Sequence, residues 1–155
     1  MIKLIIVCLF LILHGCSSLK KDVVACPKVI APKRAAEVVV NSENKFPVYI
    51  GFRGIKTYCT KDDDKIEMEI AVNVRAIRKD NKIEDFVPVN ITLVSADMNN
   101  KEYDRDSFKY SQFLLKGSKI VDRETDFDIK IPNGGQVHLG LRLSLIHISE
   151  PTRPY

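Results

Sequence analysis

The chain has 155 residues, 45% of them apolar and 28% charged, with a formal net charge of +4. A natural mature part of under roughly 130 residues suits one domain with a single core. The small net charge is spread among alternating acids and bases, which excludes an obvious nucleic-acid footprint.

The N-terminus reads as an export signal. Lys3 supplies a positive charge, and an apolar run of about ten residues follows from Leu4 to Leu13. A membrane-spanning helix needs about 20 apolar residues, so this run reaches only about half the hydrocarbon thickness. We therefore predict a signal peptide, an N-terminal helix over residues 1–15, rather than a permanent anchor.

Leu13-His14-Gly15-Cys16 resembles the lipobox of bacterial lipoproteins, although His14 departs from the usual Ala or Ser. The resemblance implies that Cys16 is lipidated through its thiol and becomes the mature N-terminus. Ser17 follows, where Asp would resemble an inner-membrane retention signal. We expect anchoring at the periplasmic face of the outer membrane, with the inner membrane as the alternative. The other interpretation is an ordinary secretory signal with a chance cysteine.

The four cysteines have separate predicted fates. Cys8 leaves with the signal and Cys16 takes the lipid, so Cys26 and Cys59 remain as a pair in an oxidising compartment. We predict a disulfide closing a loop of about 34 residues, worth roughly 3–4 kcal/mol in the chain-entropy model. Two free buried thiols are the alternative, and the chain contains no redox CxxC motif.

Residues 16–35 are predicted to form a tether that enters the fold near Cys26, because Pro27 and Pro32 disfavour helix and suit an extended chain. Residues 36–142 then form the domain. Period-2 alternation dominates it and predicts half-buried strands. The inward sets are Val48, Ile50 and Phe52; Ile66, Met68, Ile70, Val72, Val74 and Ala76; Val87, Val89, Ile91 and Leu93; Phe127, Ile129 and Ile131; Val137, Leu139 and Leu141.

Aromatic residues change parity between Tyr110 and Phe113, which predicts a β-bulge near Ser111-Gln112. No window of the mature chain shows a convincing helical period. Five to seven short strands separated by turn signals predict an all-β fold, an antiparallel immunoglobulin-like β-sandwich. The chain contains no Trp, so the antibody-type core signature is missing. A small barrel is the alternative.

The C-terminal residues resemble the translation of a sequencing adapter rather than natural protein. Codons of the transposon mosaic end and primer site of tagmentation libraries encode Leu143 to Arg153 as they stand here. We therefore predict that residues 143–155 are an artefact and disordered, and exclude them from fold reasoning.

Several fragments together resemble a family of small uncharacterised lipoproteins from alphaproteobacteria, over about residues 10–142. The fragments are Cys26-Pro27, Cys59 at a strand end, Ala76-Ile77-Arg78, Asp122-Arg123-Glu124, Ile129–Pro132 and Gly140-Leu141-Arg142. The resemblance implies export and lipidation. It implies no activity and supplies no catalytic residues.

Three features could carry chemistry, and each has a simpler explanation. Asp62-Asp63-Asp64 could offer oxygens to Ca²⁺, but lacks the EF-hand spacing and suits a solvated turn. Asp126 and Asp128 could form a carboxylate pair, but alternate with apolar residues as on a wet strand face. His138 is the single histidine of the natural mature chain, so a catalytic triad would need it, and it lies on the polar parity of the last strand.

We therefore expect no cofactor, no metal and no catalytic residue. The first hypothesis is a non-enzymatic, membrane-tethered module that binds or supports another envelope protein. The second is a binder of a small ligand or cell-wall fragment, which a concave pocket lined by polar groups would favour. The third is an enzyme, which would need His138 beside paired carboxylates in a pocket.

Overall fold

The computed structural model describes residues 21–141. The predicted signal peptide (residues 1–15), Cys16 and the predicted artefact (residues 143–155) lie outside the described residues. Nine strands and one short helix follow one another along the described chain: β1 (Asp22–Val23), β2 (Val29–Ile30), α1 (Lys33–Ala36), β3 (Glu37–Asn41), β4 (Pro47–Asp62), β5 (Lys65–Arg78), β6 (Asp85–Ala96), β7 (Glu102–Leu114), β8 (Ile120–Pro132) and β9 (Gln136–Leu141).

The strands form two sheets packed as a sandwich, which confirms the predicted all-β sandwich class. Sheet A has the order β1-β4-β5-β8, with β3 pairing the other end of β4, and sheet B has the order β2-β9-β6-β7. All pairs are antiparallel except β2 with β9. The finer immunoglobulin-like assignment stays a prediction.

The core lies between the sheets and consists of the side chains that alternation points inward. On β5, Met68, Ile70, Val72, Val74 and Ala76 are all buried, as their period of two predicts. Their partners come from every long strand, and the buried apolar residue that β7 contributes is Leu114. Burial of this apolar surface is the main favourable term for folding.

The structure describes residues 21–35 of the predicted tether, and it places them in the sandwich rather than in a free tether. β1 pairs with β4 of sheet A, and β2 pairs with β9 of sheet B, so the chain crosses between the sheets before reaching β3. Helix α1 occurs where the prolines predicted extended chain. Pro32 immediately precedes it, where a missing N–H removes no helical hydrogen bond, and Ala35 is buried against Val94 and Ala96.

The predicted bulge at Ser111-Gln112 is wrong, since β7 pairs with β6 in unbroken register there. The register shifts instead between Phe52 and Gly54 on β4, and at the Ser95–Ala96 step of β6. Aromatic residues occur on both parities of β7 because it is an edge strand that packs apolar groups on both faces. Phe113 contacts Phe86 on the outer face of sheet B at 4.9 Å between ring centroids.

Side chains close the side of the sandwich where the edge strands β7 and β8 meet. The Asp104 carboxylate accepts a hydrogen bond from the Lys130 amide at 2.8 Å, and the Ser95 hydroxyl donates to the Lys130 carbonyl at 2.5 Å. The Arg123 guanidinium lies 4.1 Å from the centroid of the Tyr110 ring. These contacts occupy an edge that would otherwise be open to strand pairing.

Candidate functional site

A disulfide fastens the N-terminal segment to the end of sheet A. Cys26 and Cys59 are bonded with their Cα atoms 5.3 Å apart, which confirms the predicted pair. The Val24 amide donates to the Cys59 carbonyl at 3.0 Å, and Lys21 forms an ion pair with Glu67. The chain therefore enters the fold at the end of sheet A that carries the β4–β5 turn.

The acidic turn Asp62–Asp64 is a solvated hairpin connection, as the simpler interpretation predicts. Asp63 adopts a left-handed conformation with φ of 52°, and both Asp63 and Asp64 are exposed. Asp62 pairs with Lys65 at 3.5 Å. Across residues 21–141, no three His, Cys, Asp or Glu side chains are placed to hold a metal ion together.

Asp126 and Asp128 lie on the outer face of sheet A, the face turned away from sheet B. They are exposed, while Phe127 and Ile129 between them and beside them are buried. This is the wet strand face that the alternation predicts.

The same outer face carries a shallow groove over β4, β5 and β8. Tyr58, Glu69 and Asp128 lie side by side across the three strands, and the Tyr58 side chain is 48% exposed. A cavity of about 400 Å³ adjoins this row and is also lined by Glu67 and Lys130. Two carboxylates directly opposite each other repel, so the row favours a bound cation or hydrogen-bond donor.

His138 is buried, whereas its place in the alternation of the last strand predicted a side chain among the polar positions. Only 8% of it is exposed, because α1 packs against β9 and β2 pairs along its edge. Its strand partners, Val94 and Ile30, are apolar, and its Nε2 atom is buried without a hydrogen-bond partner among the described residues. Burial lowers the pKa of His138, so the ring is held neutral. Neither strand partner supplies the carboxylate that a catalytic triad requires.

Sequence reasoning missed an apolar row that crosses four of the five strands of sheet A on its outer face. Val39 pairs with Tyr49, Tyr49 with Ile77, and Ile77 with Ile120, so one residue from each of four strands contributes. Val39 is 65% exposed and Ile120 is 51% exposed. We call these four residues the distal row, since they lie at the opposite end of sheet A from the disulfide.

The distal row borders a depression of about 290 Å³ whose lining includes Pro47 and Lys79. Elsewhere the outer face of β5 is mostly polar, with Glu67, Glu69, Asn73 and Arg75 at outward positions. A contiguous apolar strip bordered by polar rows is typical of an interaction surface. In the sequence, the apolar run Val38–Val40 indicates this strip. Its connection to Ile120 depends on the pairing of strands that are distant in the chain.

Two charged groups, Glu37 and Arg78, organise the distal end. The Glu37 carboxylate accepts a hydrogen bond from the Tyr49 hydroxyl and raises its pKa, which fixes the ring over Gly51. Arg78, 4% exposed, donates to four backbone carbonyls: those of Ile83, Leu114, Leu115 and Ser118. The ring and the loop before Ile120 are therefore held in place behind the distal row.

Compared with known proteins, the chain matches no family model, no curated protein sequence and no solved structure. The resemblance to a lipoprotein family therefore stays a prediction. Within residues 21–141, no helix has the length and apolar character needed to cross a membrane.

Proposed function

We propose that this protein is a lipid-anchored, non-enzymatic module of the cell envelope that binds another envelope protein through the distal row. The anchor is a lipid on Cys16, and the location is the periplasmic face of the outer membrane. The proposal rests on the exposed apolar residues Val39 and Ile120, joined by Tyr49 and Ile77 in one row. Exposed apolar surface of this kind is stabilised when a partner covers it.

The position of the row supports a protein partner rather than the anchoring membrane. The chain enters sheet A beside Glu67, whereas the distal row crosses β5 at Ile77. These positions are ten residues apart on one strand, roughly 33 Å at about 3.3 Å per residue. A tether entering at one end of the sheet leaves the other end free to face a partner.

The proposal is tested by recovering cross-linked partners with the full-length protein from envelopes. Val39→Asp places a charge on an exposed position of the row, and we expect recovery of the partner to fall about tenfold, as for loss of a central interface contact. Asp126→Lys, on the same face but in the polar region, serves as the matched control and should recover the partner normally. Equal recovery by both variants would exclude the distal row as the binding surface.

The lipid anchor is tested separately by mass spectrometry of the purified protein. We expect the parent protein to carry a lipid mass that the Cys16→Ala variant lacks. Masses that differ only by the substitution would rule out lipidation at this residue.

A second candidate function, binding of a small ligand or cell-wall fragment, is favoured by the groove beside Tyr58. Its carboxylates and exposed aromatic ring could hold a ligand bearing amino and hydroxyl groups. Soluble cell-wall fragments should then raise the melting temperature of the protein, and less so for Tyr58→Ala. A ligand effect on the parent that Tyr58→Ala retains in full would remove the groove from consideration.

A further inference from the structure

One stretch of β4 has no strand partner on its outer edge among the described residues. β3 pairs with β4 as far as Gly51, and β1 pairs with it again from Thr60. Between them, positions 53–58 are all exposed, including Ile55 at 43%. We call positions 52–58 the recess, because strands flank it at both ends of the same edge.

After the register shift at Phe52–Gly54, the part of the recess from Gly54 to Tyr58 presents backbone groups in the pattern that a β-strand would bind. The Cys59 carbonyl accepts its hydrogen bond from Val24 on this edge. In an antiparallel pair, alternate residues direct their N–H and C=O to the same side. Thr57 and Ile55 therefore direct their amides and carbonyls into the recess. Within residues 21–141 no strand pairs with this part of the edge, which makes it a candidate for strand addition.

The flanking strands restrict what can enter. Seven residues span roughly 23 Å at about 3.3 Å per residue, so a strand of this length or shorter fits. A second copy of the 16-residue strand β4 would collide with β1 or β3. The occupant is thus a short extended segment rather than the same edge of another molecule.

The chemistry around the recess selects an acidic segment. Arg53 and Lys56 lie within it and are exposed, and Lys28 is exposed on the chain between β1 and β2. Two acids lie at the ends of the recess: Asp22 on β1 and Glu37 on β3. The Glu37 carboxylate accepts a hydrogen bond from the Tyr49 hydroxyl. Lys56 has an exposed ion pair with Glu124, which solvent screens.

Apolar residues bound the recess on its inner side. At the two ends of the recess, partly buried apolar residues pack against the core: Val24, Val38 and Phe52. Ile55 lies between them. An incoming strand would direct alternate side chains toward these residues and the others toward solvent.

We propose that the recess binds a short extended segment of a partner protein in which apolar residues alternate with acidic ones. The segment completes the outer strand of sheet A between β1 and β3. This goes beyond the proposed function, since the recess lies on the edge of β4 and the distal row on the outer face.

The test measures fluorescence anisotropy of a labelled nine-residue peptide of alternating Glu and Val, titrated with the full chain in detergent micelles. Thr57→Pro removes one amide that faces the recess and leaves the bonds to β5 intact. We expect it to weaken binding at least about tenfold, through a lost hydrogen bond and steric exclusion. Thr57→Val keeps the amide and should bind as the parent does. Both variants should melt as the parent does.

A peptide of alternating Lys and Val tests the charge preference and should bind at least about tenfold more weakly. Slowed amide exchange at Ile55 and Thr57 with the Glu-Val peptide would support the assignment. Absence of binding, equal binding by Thr57→Pro, equal binding of the two peptides, or self-association lost in Thr57→Pro would each overturn it. None of these results would alter the cross-linking test of the distal row.

Discussion

Arg78 offers a direct test of how the distal end is held together. Its guanidinium is buried and donates to the carbonyls of Ser118, Ile83, Leu114 and Leu115 at 2.5–3.2 Å. Hydrogen bonds from a charged donor contribute about 1.5–3 kcal/mol each, but burying the guanidinium offsets much of their sum. We expect Arg78→Met, of similar length and without donors, to destabilise the protein by about 3 kcal/mol.

Urea denaturation of the oxidised protein measures this change. With a slope of about 1.5 kcal/mol per molar urea, the midpoint of Arg78→Met should fall by about 2 M. Arg75→Met is the matched control: Arg75 lies on the same strand but points to solvent, where it pairs with Asp122 at 2.7 Å. Its midpoint should stay close to that of the parent, because exposed ion pairs are screened. Similar midpoints for the two variants would refute the structural role assigned to Arg78.

Three further predictions concern the disulfide, pH and the β8 edge. Replacing Cys26 and Cys59 together by Ser should destabilise the protein by roughly 2–4 kcal/mol in urea titrations, and unchanged stability would contradict the fastening role. Because burial lowers the pKa of His138, the unfolded chain binds its proton first as the pH falls below about 6.5. The free energy of unfolding should therefore be at its full value above that pH and decline below it, whereas His138→Gln should flatten this dependence. Identical pH profiles for the parent and His138→Gln would contradict the role of the buried histidine. Asp104→Ala removes the acceptor of the Lys130 amide, so hydrogen exchange of that amide should accelerate, and unaltered exchange would show that the edge is protected otherwise.

The sequence predicted the parts of the fold that depend on local periodicity. Alternation from Ile66 to Ala76 correctly assigned the buried face of β5, and the same reasoning placed Asp126 and Asp128 in solvent. Cysteine counting correctly predicted the disulfide, since two of the four cysteines were predicted to belong to the signal and the lipid site. These features follow from neighbouring residues or from simple elimination.

Features that depend on distant segments were not predictable in this way. His138 has the parity of a solvent-facing residue, and it is buried because the N-terminal segment crosses onto sheet B. The distal row requires the registers of β3, β4, β5 and β8 together, although Val39 and Ile120 separately look like ordinary exposed residues. The recess likewise exists because the N-terminal chain leaves sheet A after Val23 and returns at Glu37.

The most direct test of the central claim is site-specific photo-crosslinking in intact envelopes. A photoreactive residue at Val39 is compared with one at Asp126, since both positions are exposed on sheet A but only the first belongs to the distal row. We expect one protein adduct from position 39 that is lost when Tyr49 is changed to Asp, and none from position 126. Adducts to lipid alone, or the same adducts from both positions, would contradict it.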